Sequence, residues 1–447
     1  MVQRRIAWTL IPAVALILSA CSGTTTTTTA STTAAPGTTA KATTGTTAGG
    51  TTGTTAASTP KATGSDGGEL VMGLLVPESG DLKAIVDSLV KPSRLAVDQI
   101  NAAGGVNGKQ VKVAQADDGT SAQVATASFD KLLNGDKVNV IIGPAPSGVA
   151  RAIMDKIKSA GVPTCSGSTT AADLTTLDSG GYFFRTAPSD DLQGPALAEV
   201  ISADKHSKIG ILSRRDEYGA GFSKSLEAAV KDNGGTVVAN VSYAADGSNF
   251  TSEVGQVLDK GPDAIAIIGF NDDGAKVVSA LIAKGAGPDK MPLYTADGMQ
   301  SSKFAETVDP TNKAIVKGMK GTAPAAAPEG VESPFATEFP ALKVDPIFSS
   351  YYWDCTNLLA LAAQSAKSTD PAKIKAAFSE NLKGDSDCKD FRSCKELLDA
   401  GKKIHYRGAS NAFDKWEGQQ PGSGAYEIWE YDAEGKSQTL KVPQIKI

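Results

Sequence analysis

Histidine is nearly absent from this chain. His206 and His405 are the only two in 447 residues. Neither has metal-ligand spacing, so no zinc site is expected, and both lie in polar stretches away from any nucleophile motif. No Gly-x-Ser-x-Gly elbow occurs. Without a catalytic constellation the chain reads as a non-enzyme, with no metal and no cofactor. Aromatic residues make up 6% and basic residues are not in excess, with 44 Lys and Arg against 49 Asp and Glu. A mildly acidic balance argues against nucleic acid as a partner. There is also no apolar run long enough to span a bilayer comfortably; Ile6 to Leu18 is too short.

That short run has a different use. Arg4-Arg5 precede it and Leu18-Ser19-Ala20-Cys21 follow it, the layout of a secretory signal peptide over residues 1–20. Leu18 to Cys21 resembles the lipobox of bacterial lipoproteins, in which the Cys is acylated and becomes the first residue. Cys21 is therefore the expected lipidation site, and the location extracytoplasmic, on the bacterial cell membrane. Residues 22–68 contain 20 Thr and no aromatic residue. Such a tract has nothing to bury, so 21–68 is expected to be a disordered tether. Loss of the signal peptide leaves 42 basic against 49 acidic residues.

Four cysteines remain after Cys21, an even number in an exported chain. Cys388 and Cys394 lie six apart in a polar stretch and should close a small loop. Cys165 and Cys355 pair if the fold brings them together; otherwise they are small buried apolar residues.

From about residue 69 onward, strand and helix patterns alternate. Strands are expected at Leu70–Val76, Val111–Ala116, Val138–Ile142 and Tyr182–Arg185, with another strand end at Gly161–Cys165. A second set follows at Ile209–Leu212, Val237–Val241, Ala264–Ile268 and Leu293–Thr295. Helices fill the gaps, among them 121–133, 217–232 and 273–284. The alternation predicts an α/β protein with parallel sheets covered by helices. Its length calls for two Rossmann-like lobes with a ligand cleft between them. Val138-Asn139-Val140-Ile141-Ile142-Gly143 is echoed by Asp263-Ala264-Ile265-Ala266-Ile267-Ile268-Gly269, one copy in each half. After the first copy Ser147 stands where a helix N-cap belongs, so backbone N–H groups and a hydroxyl meet at the carboxyl edge of a sheet. That is a place to hold a small carboxylate. Past Gly321 the pattern changes to helices at Pro334–Leu342, Phe348–Ala366, Pro371–Glu380 and Ser393–Ala400. A hairpin turning at 433–436 should end the chain.

The segment Ala96-Val97-Asp98-Gln99-Ile100-Asn101-Ala102-Ala103-Gly104-Gly105-Val106-Asn107-Gly108, with Asp117-Asp118 after the next strand, resembles one family closely. Ile141-Ile142-Gly143 with Ser147, Tyr182-Phe183-Phe184-Arg185-Thr186, Tyr218-Gly219 and Tyr406-Arg407-Gly408-Ala409-Ser410-Asn411 extend the likeness. The family is the Leu/Ile/Val-binding group of substrate-binding lipoproteins of ABC importers, with the type I periplasmic-binding-protein fold. The resemblance implies a three-segment hinge, with lobe one at 69–187 and 323–414 and lobe two at 188–322 and 415–447. It implies a monomer that captures an amino acid or related small ligand and hands it to membrane permease subunits; a ligand-sensing receptor of the same fold is the alternative. It places Ser147 and the turn Ser168-Thr169-Thr170 at the ligand carboxylate, Tyr218 over the ligand and Asp297 at its ammonium. Ser79 and Asn271 fall in two stretches where this chain departs from the family pattern. Ser79-Gly80 is followed by Asp81, and Asn271-Asp272-Asp273 replaces a stretch that is often aromatic. From these departures polar contacts at Ser79 and Asn271 are expected.

Overall fold

The computed structural model describes residues 61–326 and 332–442, and the backbone of 444–446. The expected signal peptide, Cys21 and most of the expected tether lie outside these residues.

Two sheets share one strand order. In the first, β1 (Val71–Val76), β2 (Lys112–Asp117), β3 (Val140–Ile142), β4 (Thr164–Ser166) and β5 (Phe183–Arg185) run parallel as β2-β1-β3-β4-β5. In the second, β6 (Lys208–Arg214), β7 (Thr236–Tyr243), β8 (Ala264–Ile268), β9 (Leu293–Thr295) and β10 (Lys320–Pro324) repeat it as β7-β6-β8-β9-β10. The echoed segments β3 and β8 occupy the same place in the two sheets. Between the strands run α1 (Val86–Ala102), α2 (Ala122–Asn134), α3 (Ser147–Ala160), α4 (Asp190–Ala203), α5 (Glu217–Asp232), α6 (Thr251–Leu258) and α7 (Asn271–Ala283). Then come α8 (Phe304–Val308), α9 (Pro334–Leu342) and α10 (Ser349–Ser365).

Side-chain alternation along the strands builds a core on each face of the first sheet. Leu75 and Ile141 point to α2 and α3, where Phe129, Leu132, Val149 and Ile153 meet them. Met72, Leu74, Val140 and Ile142 point the other way, into the core that α1 and α10 complete with Leu89 and Leu358. Strand β3 is buried along its whole length, as its unbroken apolar run requires. Helix α3 stops at Gly161, which takes the left-handed C-terminal position at φ 64°.

Strand β10 has no counterpart in the sequence reading. Lys-Gly-Thr-Ala-Pro has neither alternation nor a large apolar residue. It is a strand because Trp429, on the antiparallel neighbour Ser423–Tyr431, packs over Gly321. A Cβ at Gly321 would lie 2.3 Å from the Trp429 ring. The strand Ser437–Lys441 then pairs with Ser423–Tyr431, closing the expected hairpin.

Three boundaries differ from expectation. Residues 61–68 belong to the body rather than to the tether: Asn139 Nδ2 donates to the Thr63 carbonyl at 2.7 Å, and Ser65 and Asp66 pair with Thr369, Ser368 and Lys373. Composition alone cannot register such backbone pinning. The second passage between sheets follows Pro324, because β10 completes the second sheet. The third comes after the small hairpin Trp416–Pro421, not at 414/415. That hairpin stays with the first lobe, where Gln419 accepts the Arg185 N–H at 3.0 Å and Trp416 packs on Phe378.

Both cysteine pairs are disulfides. Cys165–Cys355 joins the end of β4 to α10 across 190 residues, and Cys388–Cys394 closes a separation of 6. A cross-link stabilises chiefly by restricting the unfolded chain, more so for longer loops. Replacing Cys165 and Cys355 together by Ala should cost about 5 kcal/mol, and the same change at Cys388 and Cys394 about 2 kcal/mol, on the loop-entropy relation. Urea unfolding under non-reducing conditions checks the order of the two losses.

Candidate functional site

In both sheets the strand order reverses direction at the first strand of the lobe, between β1 and β3 and between β6 and β8. Loops that leave neighbouring strands on opposite sides of such a point part from each other and leave a crevice. Here two crevices face one another. The cavity between them is small, about 20 Å³. Lobe one contributes Leu82 and Ile85 after β1, Ala145 to Ser147 after β3, and Ser168 and Thr170 after β4. Lobe two contributes Tyr218 after β6, Phe270 after β8, and Asp297 and Gly298 after β9; Phe348, ahead of α10, belongs to lobe one.

One end of the cavity is built for negative charge. Ser147 is the first residue of α3, and the N-cap position is held by Pro146, with no side-chain cap. This corrects the expectation that Ser147 caps its helix. Proline supplies only its carbonyl, which accepts the Ala150 N–H at 3.0 Å, so the first turn presents backbone donors without a side-chain acceptor. The Ser147 hydroxyl instead accepts the Ala171 N–H at 3.2 Å and links the β3 loop to the β4 loop. Ser168 bonds the Ala145 carbonyl at 3.0 Å and meets the Tyr352 hydroxyl at 3.1 Å. Asp118, wholly buried beneath the loop, accepts the N–H groups of Ala145 and Thr120 at 3.0 and 2.8 Å. Burial pushes its carboxyl up to about 7.

The opposite side holds the buried carboxylate of Asp297, with a second buried acid, Asp190, behind the wall. Asp297 Oδ1 accepts from Gln193 Nε2 at 2.8 Å and from the Tyr218 hydroxyl at 3.1 Å. Asp190, in the first turn of α4, is completely buried beside the Thr170 side chain. Burial raises both above the ordinary carboxylate range. The sequence reading had Asp297 and missed Asp190. An acidic residue just after the N-cap Ser189 looks like any helix-start residue favoured by the macrodipole. Only the proximity of Thr170, whose carbonyl accepts the Asp190 N–H at 2.8 Å, distinguishes it.

The remaining wall is apolar: Leu82, Ile85, Phe270 and Phe348. Phe270 corrects the expectation of polar contacts from lobe two. The aromatic ring precedes the Asn-Asp-Asp stretch by one residue, and Asn271 turns outward to bond Asp272 and Thr307. Ser79 is also outside the cavity, bonded to Asp117 at the surface. Thr169 is buried behind its turn, its carbonyl taken by Arg185 Nη1 at 3.1 Å. Ser147, Ser168, Thr170, Tyr218 and Asp297 are thus brought together, and Ser79, Thr169 and Asn271 are not.

Phe270 is clamped from behind. It stacks on Tyr218 with ring centres 5.4 Å apart, and the Arg214 guanidinium lies 3.6 Å over its centroid. Arg214 is buried and pairs with Asp216 and Asp273 of its own lobe at 2.5 and 2.8 Å. Its third partner, Asp81 at 3.2 Å, comes from the β1 loop of the other lobe.

A family model described as periplasmic binding protein matches residues 69–393. The chain belongs to that family. As a member it is a ligand-binding protein and not an enzyme. It is 26% identical over 237 residues to the Leu/Ile/Val-binding protein BraC3 of Rhizobium johnstonii, a match covering 53% of this chain and 63% of that protein, a little under two thirds. It is 25% identical over 372 residues to the chemotactic signal transduction system substrate-binding protein BasB of Halobacterium salinarum, covering 80% and 86%. The fold matches the branched-chain amino acid transporter substrate binding protein LivJ from Streptococcus pneumoniae, solved in complex with isoleucine. The TM-score is 0.68 at 23% identity, over 85% of this chain and all of that one.

Asp81 is partly exposed, so its loss should change global stability by less than about 1 kcal/mol. Asp81→Ala is nevertheless expected to favour the open form, because it removes the ion pair between the lobes. Small-angle scattering should show a larger radius of gyration for the variant than for the parent at equal salt.

Proposed function

We propose that this protein is an extracytoplasmic receptor that captures an amino acid with an apolar side chain and passes it to the permease subunits of an ABC importer. The observation that carries the reading is the division of one cavity into three kinds of wall. The α3 terminus, Ser147 and Thr170 suit an α-carboxylate. Asp297 suits an α-ammonium. Leu82, Ile85, Phe270 and Phe348 suit an aliphatic side chain and offer it no hydrogen bond. Buried carboxylates are costly without a cationic partner, so the site favours a zwitterion over a plain organic acid. Lobe closure traps the ligand, and the inter-lobe pair Asp81–Arg214 holds the closed form. Similarity to transporter components supports delivery to a permease. Cys21 anchors the monomeric receptor to the membrane by its lipid, and no helix of the described residues is long and apolar enough to cross one. A sensing role for the same closure is the second reading, supported by the likeness to BasB.

Thermal unfolding with a panel of amino acids tests the ligand class. A ligand at 100 times its dissociation constant should add about 2.7 kcal/mol. Leucine, isoleucine, valine or alanine should give the largest shifts, and glutamate or lysine none. A flat panel would sink the reading. Ser147→Ala should weaken the best ligand at least tenfold in calorimetry. It should cost the unliganded protein only about 1–2 kcal/mol, the price of one unpaired buried N–H at Ala171. Unchanged affinity would place the carboxylate elsewhere.

A further inference from the structure

The apolar wall of the cavity is drawn in tightly. The whole space is about 20 Å³, where a single water-sized sphere needs roughly 10–15 Å³. Four side chains narrow it: Leu82 and Ile85 from the β1 loop, Phe348 ahead of α10, and Phe270 from the other lobe. They have little freedom to withdraw. Phe270 stacks on Tyr218, and the Arg214 guanidinium lies 3.6 Å over its centroid. A Cβ on Gly298 would lie 2.8 Å from Cδ1 of Phe270, so the ring is packed against the loop after β9 as well. Phe348 is held at φ 57°, a left-handed conformation that a bulky residue keeps only where its surroundings fix it. Leu82 and Ile85 sit on one short turn. The Leu82 N–H donates to the Thr120 hydroxyl at 3.1 Å, the Ile85 N–H to the Leu82 carbonyl at 3.1 Å, and the Ser88 hydroxyl to the Ile85 carbonyl at 2.7 Å.

Nor can the lobes part without loss. Arg214 of lobe two meets Asp81 of lobe one at 3.2 Å. Asp345, in the lobe-one segment that leads into α10, accepts the Ser302 N–H at 3.1 Å and the Ser302 hydroxyl at 3.0 Å, both from the loop that also carries Asp297. Arg151 on α3 lies 3.6 Å from Glu217 at the start of α5. Ionic contacts of this kind end once nitrogen and oxygen are more than about 4 Å apart. A ligand that needs more room than the closed cavity offers must spread the lobes, and these contacts stretch first. Each carbon added to a ligand side chain thus buries apolar area, which favours binding, and pushes against closure, which opposes it. In a cavity with space to spare the first effect wins; here the second does.

We propose that the site selects by size, taking alanine in preference to valine, isoleucine and leucine, and that Leu82 and Ile85 of the β1 turn, together with Phe270, set the limit. The inference rests on the amino-acid reading above and narrows it. Alanine and leucine carry the same carboxylate and ammonium, so Ser147, Thr170 and Asp297 treat them alike. Only the further carbons of leucine distinguish the two, and those carbons meet the apolar wall. Alanine's methyl group is the smallest apolar side chain, so it asks for the least separation of Arg214 from Asp81 and of Ser302 from Asp345.

The test is calorimetric titration of the full chain with L-alanine, L-valine and L-leucine. Alanine should bind at least tenfold more tightly than leucine, with valine between them. Ile85→Ala, which opens the wall, should shift the ratio at least tenfold in favour of leucine, and Leu82→Ala should shift it in the same direction. Leucine binding as tightly as alanine, or more tightly, in the parent protein overturns the size limit while the amino-acid reading stands. An unchanged ratio in both folded variants overturns the assignment of the limit to this wall. If no amino acid of the thermal panel binds, the amino-acid reading falls and this inference falls with it. The ranking in the parent protein decides the question even if neither variant folds.

Discussion

The buried guanidinium of Arg185 is the interaction on which the site depends. It lies at the last residue of the first sheet, just before the chain passes to the second lobe. It holds the carbonyls of Thr169 and Ala171 at 3.1 and 2.8 Å, which sets the shape of the turn that presents Ser168 and Thr170. It also binds Gln420, so the hairpin Trp416–Pro421 is drawn to the first lobe close to the third passage between the lobes. A lysine could not replace it, because one ammonium cannot serve four acceptors held in a plane by a rigid fork. The same charge stands beside buried Asp190 and offsets part of its charge. Hinge and binding turn are thereby connected through one side chain.

Around this centre the two lobes are arranged by the repeated strand order. Each sheet opens a crevice at its own reversal point, and three passages of the chain turn the crevices toward each other. The loops after β1, β3 and β4 bring apolar residues, helix-terminal N–H groups and hydroxyls. The equivalent loops after β6, β8 and β9 bring aromatic rings and a carboxylate. Complementary walls come from equivalent positions, so closure of the lobes completes a site that neither lobe has alone. The Cys165–Cys355 bond fixes the β4 end to α10, and the Tyr352–Ser168 contact lies between the same two elements.

Closure has its own recognition. Arg214 is committed to Asp216 and Asp273 within lobe two, and it is the cover of Phe270. Asp81 reaches it only when the lobes meet. The ring that walls the ligand cavity is thus clamped by a guanidinium whose last partner belongs to the other lobe. The β1 loop of one lobe and the cavity wall of the other are thus joined through one guanidinium.

Much of this was legible in the chain itself. The strand and helix alternation is local, since it follows from side-chain periodicity, and it yielded β1 to β9, α5 at its observed bounds and the two-lobe plan. The echo of β3 in β8 identified equivalent places in the two halves. Ser147 came from the strand–turn–helix pattern and Ser168, Thr170, Tyr218 and Asp297 from family resemblance, and the structure brings all five to one cavity. The tertiary structure decided what depends on contacts between distant segments. Strand β10 exists because Trp429 packs on Gly321, 108 positions earlier. Residues 61–68 are ordered because Asn139 and Thr369 bind their backbone. Ser147 is not a cap because Pro146 already occupies that position. Phe270 rather than Asn271 faces the cavity, and Asn271 bonds Asp272 and Thr307. Asp190 reads as a helix-start acid in sequence; only the fold sets it behind the cavity wall, among Thr170, Arg185 and Asp297 from three other segments.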